Sequence, residues 1–238
     1  MGRYKNLEEV EYDRGFAAMR DHRHAEAERR FTKALQIHPG LHEALEWRAW
    51  VRKERGRLKE AAADFRSSLA RFPRCRWCLE VAACVQTLMD RPGAALKLWD
   101  RAIRIDPRNV DSRYLRGMVR LSLDRRRAAI ADFTRIISNR SIGSLALVGR
   151  GQAKALEGDL CGSLADFDRA IKRRPGDRQS LFYRGLVRFL TKDIAGARDD
   201  LKATGLGKAQ IVRLTRSTRL FSKWLQSGKA GDWLTARS

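Results

Sequence analysis

Cysteine is the residue type in this chain best equipped for chemistry. Cys75 and Cys78 form one C-x-x-C, Cys84 follows six residues later, and Cys161 stands far downstream. A C-x-x-C can hold zinc, exchange disulfides or fill small spaces. A structural zinc site takes four ligands, and no second C-x-x-C completes one. His22, His24, His38 and His42 gather toward the amino terminus, apart from the pair. A thioredoxin-like centre would sit in a β-α-β pattern, which this neighbourhood lacks. The thiols are therefore expected to be small reduced packing residues, with no metal and no other cofactor. No Ser/His/Asp set, glycine-rich phosphate loop or paired-carboxylate cleft appears either, so no enzymatic activity is expected.

The elements that would position these residues repeat. Pro39, Pro73, Pro107 and Pro175 are separated by 34, 34 and 68 residues, with Ser141 at the vacant node. A small residue recurs at Gly15, Ala49, Ala83, Gly117, Gly151 and Gly185. A bulky apolar one recurs at Phe31, Phe65, Trp99, Phe133, Phe167 and Leu201, and alanine or serine at Ala27, Ala61, Ala95, Ala129, Ser163 and Ala197. A fixed period of 34 marks a helical repeat array. The stretch around 144–177 shows why. Leu147, Gly151 and Ala155 share one helical face, Gly158 and Asp159 break the helix, and Leu164, Phe167, Ala170 and Ile171 make a second apolar stripe. So short a break predicts an antiparallel helical hairpin. The small residues let its helices approach, the large ring fills the gap, and proline separates one hairpin from the next. A lone hairpin cannot bury its own apolar faces, so the repeats must stack.

This pattern resembles the tetratricopeptide repeat family over about residues 8–205, as six repeats opening at Glu8, His42, Arg76, Val110, Ser144 and Arg178. The resemblance implies an all-α, right-handed solenoid with a concave groove, and a scaffold or adaptor that binds peptides or proteins. We expect the solenoid over 1–207, a capping helix over 208–227 and a loose tail over 228–238. The cap reading rests on Ile211, Leu214, Phe221 and Leu225 sharing one side. Its basic faces also suit an anionic membrane surface.

Comparison between repeats exposes a paired substitution. The seventh place reads Arg14, Arg48, Ala82, Arg116, Arg150 and Arg184; the twenty-third reads Arg30, Asp64, Leu98, Asp132, Asp166 and Asp200. Arg and Asp come and go together, which predicts that the two places touch as an ion pair. Repeat three, with Ala82, Leu98 and Trp99, offers an apolar joint, a self-association patch or a partner's anchor.

In the resembled family the second, fifth, ninth and twelfth places face the groove. Here they include Tyr12, Phe16, Trp50, Trp77, Tyr114, Met118, Phe182 and Phe189. Exposed apolar surface of this kind calls for a partner. The lysines and asparagines of the subset that clamps acidic chaperone tails are replaced by Tyr12, Phe16 and Trp77.

The charge balance opens a second reading. Fifty lysines and arginines face 28 acidic residues, a net charge of +22. Arg52, Arg120, Lys154 and Arg188 share the eleventh place, and Arg125, Arg126 and Arg127 sit together in one turn. A basic column of this kind can neutralise phosphates, so RNA or a ribonucleoprotein is the alternative partner. No run of 18 uncharged apolar residues occurs and Met1–Val10 is charged, so a cytoplasmic protein without a transmembrane segment is expected.

Overall fold

In the computed structural model, residues 6–207 are described, together with Gln210 and Arg213. They form twelve α-helices and no strand: α1 Leu7–Arg20, α2 His24–Ile37, α3 His42–Glu54, α4 Leu58–Arg71, α5 Arg76–Leu88, α6 Pro92–Ile105, α7 Val110–Ser122, α8 Arg126–Thr134, α9 Gly143–Glu157, α10 Leu160–Arg173, α11 Arg178–Leu190 and α12 Ile194–Ala203. Consecutive helices pack as hairpins. Apart from Gln210 and Arg213, the expected cap at 208–227 and the tail at 228–238 lie outside the described residues. Two compact units divide between Ser112 and Arg113.

One turn recurs in every hairpin. The chain passes through the left-handed region at His22, Gly56, Asp90, Asp124, Gly158 and Lys192, 34 residues apart. The next residue's amide then donates back five residues, as Arg57 does to the Arg52 carbonyl at 2.8 Å and Asp159 to that of Lys154 at 3.0 Å. This pattern satisfies the orphan carbonyls of each first helix and turns the chain sharply.

The core follows the 34-residue beat. Phe31, Phe65, Trp99, Phe133 and Phe167 are each at most 2% exposed. They press against the small residues of the preceding helix: a Cβ added to Gly117 would lie 2.7 Å from the Phe133 ring, and one on Gly151 would lie 2.8 Å from that of Phe167. Burying one such ring stabilises by roughly 1.5–3 kcal/mol. At the vacant proline node α8 ends early, at Thr134, and the chain turns through Asn139, whose side chain accepts from the amides of Ser141 and Ile142 at 3.0 Å each.

Candidate functional site

In the amino-terminal unit α1, α3 and α5 each contribute aromatic side chains. Tyr12 and Phe16 stand one helical turn apart on α1, and Trp47 and Trp50 three apart on α3. Their rings run in sequence: Tyr12 to Phe16 at 6.5 Å, Phe16 to Trp47 at 5.5 Å, Trp47 to Trp77 at 5.1 Å. Trp50 branches off Trp47 at 6.4 Å and meets His24 at 5.9 Å. All five are half-buried and rest on the core rather than inside it. Burial pushes the Tyr12 phenol up, opposed by a hydrogen bond from Trp47. Lys53 Nζ lies 5.7 Å from the centre of the Trp50 ring, over its face.

Four of the eight aromatic and apolar groove candidates thus come together, and Trp47, which joins them, was missing from the set. It occupies the sixth place, outside the four places read as concave; its three-residue spacing from Trp50 was the available signal. In the carboxy-terminal unit the candidates behave differently. Tyr114 leans on Phe133 at 5.8 Å, and burial pushes its phenol up. Phe182 is only 5% exposed and meets Tyr183 edge-on at 5.5 Å, so it belongs to the core, not to an open groove. Tyr183 in turn stacks on Phe167 at 6.1 Å. Met118 and Phe189 are half-buried.

The Arg and Asp of the repeating pair meet within hairpins two, four, five and six. Arg48, Arg116, Arg150 and Arg184 each fork onto Asp64, Asp132, Asp166 and Asp200, with distances such as 2.9 and 2.6 Å for Arg150 on Asp166. The eleventh-place cations join the same carboxylates: Arg52 at 2.6 Å, Arg120 at 2.7 Å, Lys154 at 3.1 Å and Arg188 at 3.0 Å. This corrects the expected basic column. A partly buried cation one turn along the helix is drawn to the nearest buried carboxylate. Four of the seven proposed surface cations are therefore held on internal carboxylates, each shared with the seventh-place arginine of its hairpin.

The other three differ. Arg126 holds Asp124 at 2.6 Å and the Leu156 carbonyl at 2.7 Å, while Arg127, 92% exposed, reaches Glu157 at 2.8 Å. Arg125 is exposed at the start of α8. Repeat one reverses the polarity, with its acid on the first helix: Glu11 receives Arg30 and Lys33 at 3.0 Å each. Lys33, seconded by Arg30, outweighs burial and holds the Glu11 carboxyl below its usual range. Burial works against charge on Glu28, yet Arg52, Arg55 and Arg57 outweigh it and lower its pKa. Repeat three has no triad; Ala82 and Leu98 instead line a cleft of about 330 Å³ with Ala62, Phe65, Leu69 and Arg101.

The cysteine expectation also changes. Cys75 and Cys78 are joined as a disulfide, because the opening turn of α5 brings their Cα atoms to 5.3 Å, within bridging range.

The family model described as Tetratricopeptide repeat matches residues 12–74 and 158–205. The fold is similar to a tetratricopeptide repeat protein from Parabacteroides merdae ATCC 43184, with a TM-score of 0.77 and 17% identity over 96% of this chain and 94% of that one. It is also similar to YrrB, described as having an unusual peptide-binding site, with a TM-score of 0.62 and 18% identity over 82% of this chain and 97% of that one. PilW, a type IV pilus biogenesis factor, gives a TM-score of 0.68 at 16% identity, covering 93% and 100% of the two chains. No curated protein sequence matches. Among the described residues no helix is long and apolar enough to cross a membrane.

Proposed function

This chain is a tetratricopeptide repeat protein, and from that premise we propose that it is a non-catalytic adaptor holding a partner's peptide or helix on the aromatic face of its amino-terminal unit. The observation that carries the reading is the run of rings from Tyr12 through Phe16 and Trp47 to Trp50 and Trp77. Rigid aromatic side chains lose little conformational freedom on binding and dominate interface energetics. An uninterrupted row of them, resting on a packed core, offers apolar contact to an extended or helical segment. The peptide-binding site of YrrB lends the same reading support by analogy of fold.

The RNA alternative finds less support. Arg52, Arg120, Lys154 and Arg188 are committed to internal carboxylates, which leaves Arg125, Arg126 and Arg127 as its carriers. The experiment is an affinity capture with the intact chain, its Trp47→Ala and Trp50→Ala variants, and a variant with Arg125, Arg126 and Arg127 changed to Glu. Each tryptophan variant should weaken a captured protein by about 2 kcal/mol, about thirtyfold, while the helical circular dichroism signal is kept. Loss of partners on nuclease treatment, with the tryptophan variants unaffected, would reverse the ranking in favour of RNA.

A further inference from the structure

Four side chains outside the aromatic row form a cluster at the start of α5. Cys75 caps that helix, and its Sγ accepts the Cys78 amide at 3.3 Å. A sulfur at a helix amino terminus is placed where negative charge is favoured. The two sulfurs of the bridge are not equivalent. Cys75 is half-buried and borders a cavity of about 410 Å³ that His42, Glu46 and Phe72 also line. Cys78 is 0% exposed. Behind it stands Ser68, also 0% exposed, whose Oγ donates to Glu46 Oε1 at 3.0 Å and lies 3.8 Å from Cys78 Sγ. The same Glu46 oxygen is 3.7 Å from Cys75 Sγ.

We propose that Cys75–Cys78 is a thiol–disulfide exchange site for a thiol-bearing co-substrate, with Cys75 the sulfur attacked and Glu46 a positioning residue that serves Cys78 through Ser68. An external thiolate bonds to Cys75 Sγ as the Cys75–Cys78 bond breaks, and the electron pair leaves on Cys78. Once the Ser68 hydroxyl turns its hydrogen from Glu46 to Cys78, the Glu46 carboxyl passes its proton to the Ser68 oxygen while the Ser68 proton goes to Cys78, leaving a Glu46 carboxylate and a Cys78 thiol. A second external thiolate then attacks the co-substrate sulfur of the mixed disulfide. The co-substrate departs as its own disulfide, and Cys75 leaves as a thiolate that takes a proton from water, as Glu46 does. Two co-substrate thiols are oxidised and one protein disulfide is reduced. Exchange of this kind depends on access and on the leaving sulfur: access favours attack at Cys75, and the proton delivered through Ser68 serves the buried Cys78 as it leaves.

Glu46 suits the role. Burial pushes its pKa up, opposed by the Ser68 hydrogen bond and by His42, so it holds a proton closer to neutrality than an ordinary glutamate. The groups around it are His42 and Glu43 on α3, Ser68 and Arg71 on α4, Arg74 in the following loop, and Cys75 and Cys78.

The test uses the full chain with Cys84→Ser and Cys161→Ser, so that only the pair remains. Equilibrated in glutathione mixtures, quenched and tagged with a maleimide, both thiols should appear and vanish together in one two-electron step. Adding Cys78→Ser should give a chain that captures glutathione at Cys75. Adding Cys75→Ser should give one whose buried Cys78 captures it at least about tenfold more slowly. Glu46→Gln should slow reduction by dithiothreitol about tenfold near neutral pH and flatten its pH profile. Ser68→Ala should do the same if Glu46→Gln fails to fold. Thiols that stay separately taggable in oxidising buffer would overturn the proposal. So would preferential capture at Cys78, or one equivalent of zinc retained by the reduced pair. An unchanged pH profile in both Glu46→Gln and Ser68→Ala would remove the relay.

Discussion

Asp166 is 2% exposed and receives two cations, Arg150 through a fork and Lys154 at 3.1 Å. Its energetics are those of a triad. Asp166→Ala leaves two crowded cations without their carboxylate and should cost about 3 kcal/mol in chemical denaturation, since breaking a buried ion set is far more expensive than replacing it. Repeat three already contains the replacement, with Ala82, Gln86 and Leu98 at the three places. Arg150→Ala, Lys154→Gln and Asp166→Leu together should therefore fall within about 1 kcal/mol of the parent. Reversing only Arg150 and Asp166 should fail to rescue, because Lys154 would face the new arginine. Glu11 gives a pH counterpart. Its folded pKa is lowered by Lys33 and Arg30, so its contribution is present above the ordinary carboxylate pKa. That contribution is lost as pH falls through the folded value. The melting temperature should decline more steeply with acidification in the parent than in Glu11→Gln.

The hairpin turn is the element on which every repeat depends, and it tolerates a conformational cost. Lys192 adopts φ of 67° and His22 of 58°, where Gly56 and Gly158 fill the same place elsewhere. A side chain in this region costs roughly 1–2 kcal/mol relative to its right-handed form. Lys192→Gly should therefore stabilise by about 1 kcal/mol, and Gly56→Ala should cost about as much. Thermal melts with unaltered helix content would check both. Equal melting temperatures in both variants and the parent would mean that the surrounding chain relaxes the turn. The short α8 is the other departure at this scale. Without proline at Ser141, the chain leaves the helix early and relies on Asn139 to receive its free amides.

For the whole molecule, the net charge of +22 already counts every carboxylate, and what the ion pairs change is where the cations stand: Arg52, Arg120, Lys154 and Arg188 are held on internal carboxylates. Any RNA affinity should fall with salt and should respond to Arg125, Arg126 and Arg127. Changes at Arg52 or Arg188 should register first as lost stability. The division into two compact units predicts local rather than global opening. In hydrogen exchange, Asp166→Ala should lower protection in α9, α10 and α11 and leave α1 to α4 unchanged. Uniform loss of protection along the chain would show a single cooperative body instead.

Regular spacing wrote the helical array plainly into the sequence. Small residues and rings 16 positions apart, such as Gly151 and Phe167, must meet once two helices fold back on each other, and the Arg and Asp of the repeating pair keep the same separation. Local geometry dictates those contacts, so the sequence suffices for them. The third member of each triad was legible too, since Gln86 loses its charge alongside Ala82 and Leu98, but a column of cations reads equally as surface until the carboxylate facing it is located. Only the folded chain decided that. It also decided which aromatic residues join: Trp47 links α1 to α5, whereas Phe182 sinks into the core. Ring contacts between repeats depend on how neighbouring hairpins lean on one another, and no single repeat's pattern contains that angle. The same holds for Glu46, Ser68 and Cys78, which lie on three different helices and become one chain of polar atoms only after those helices pack.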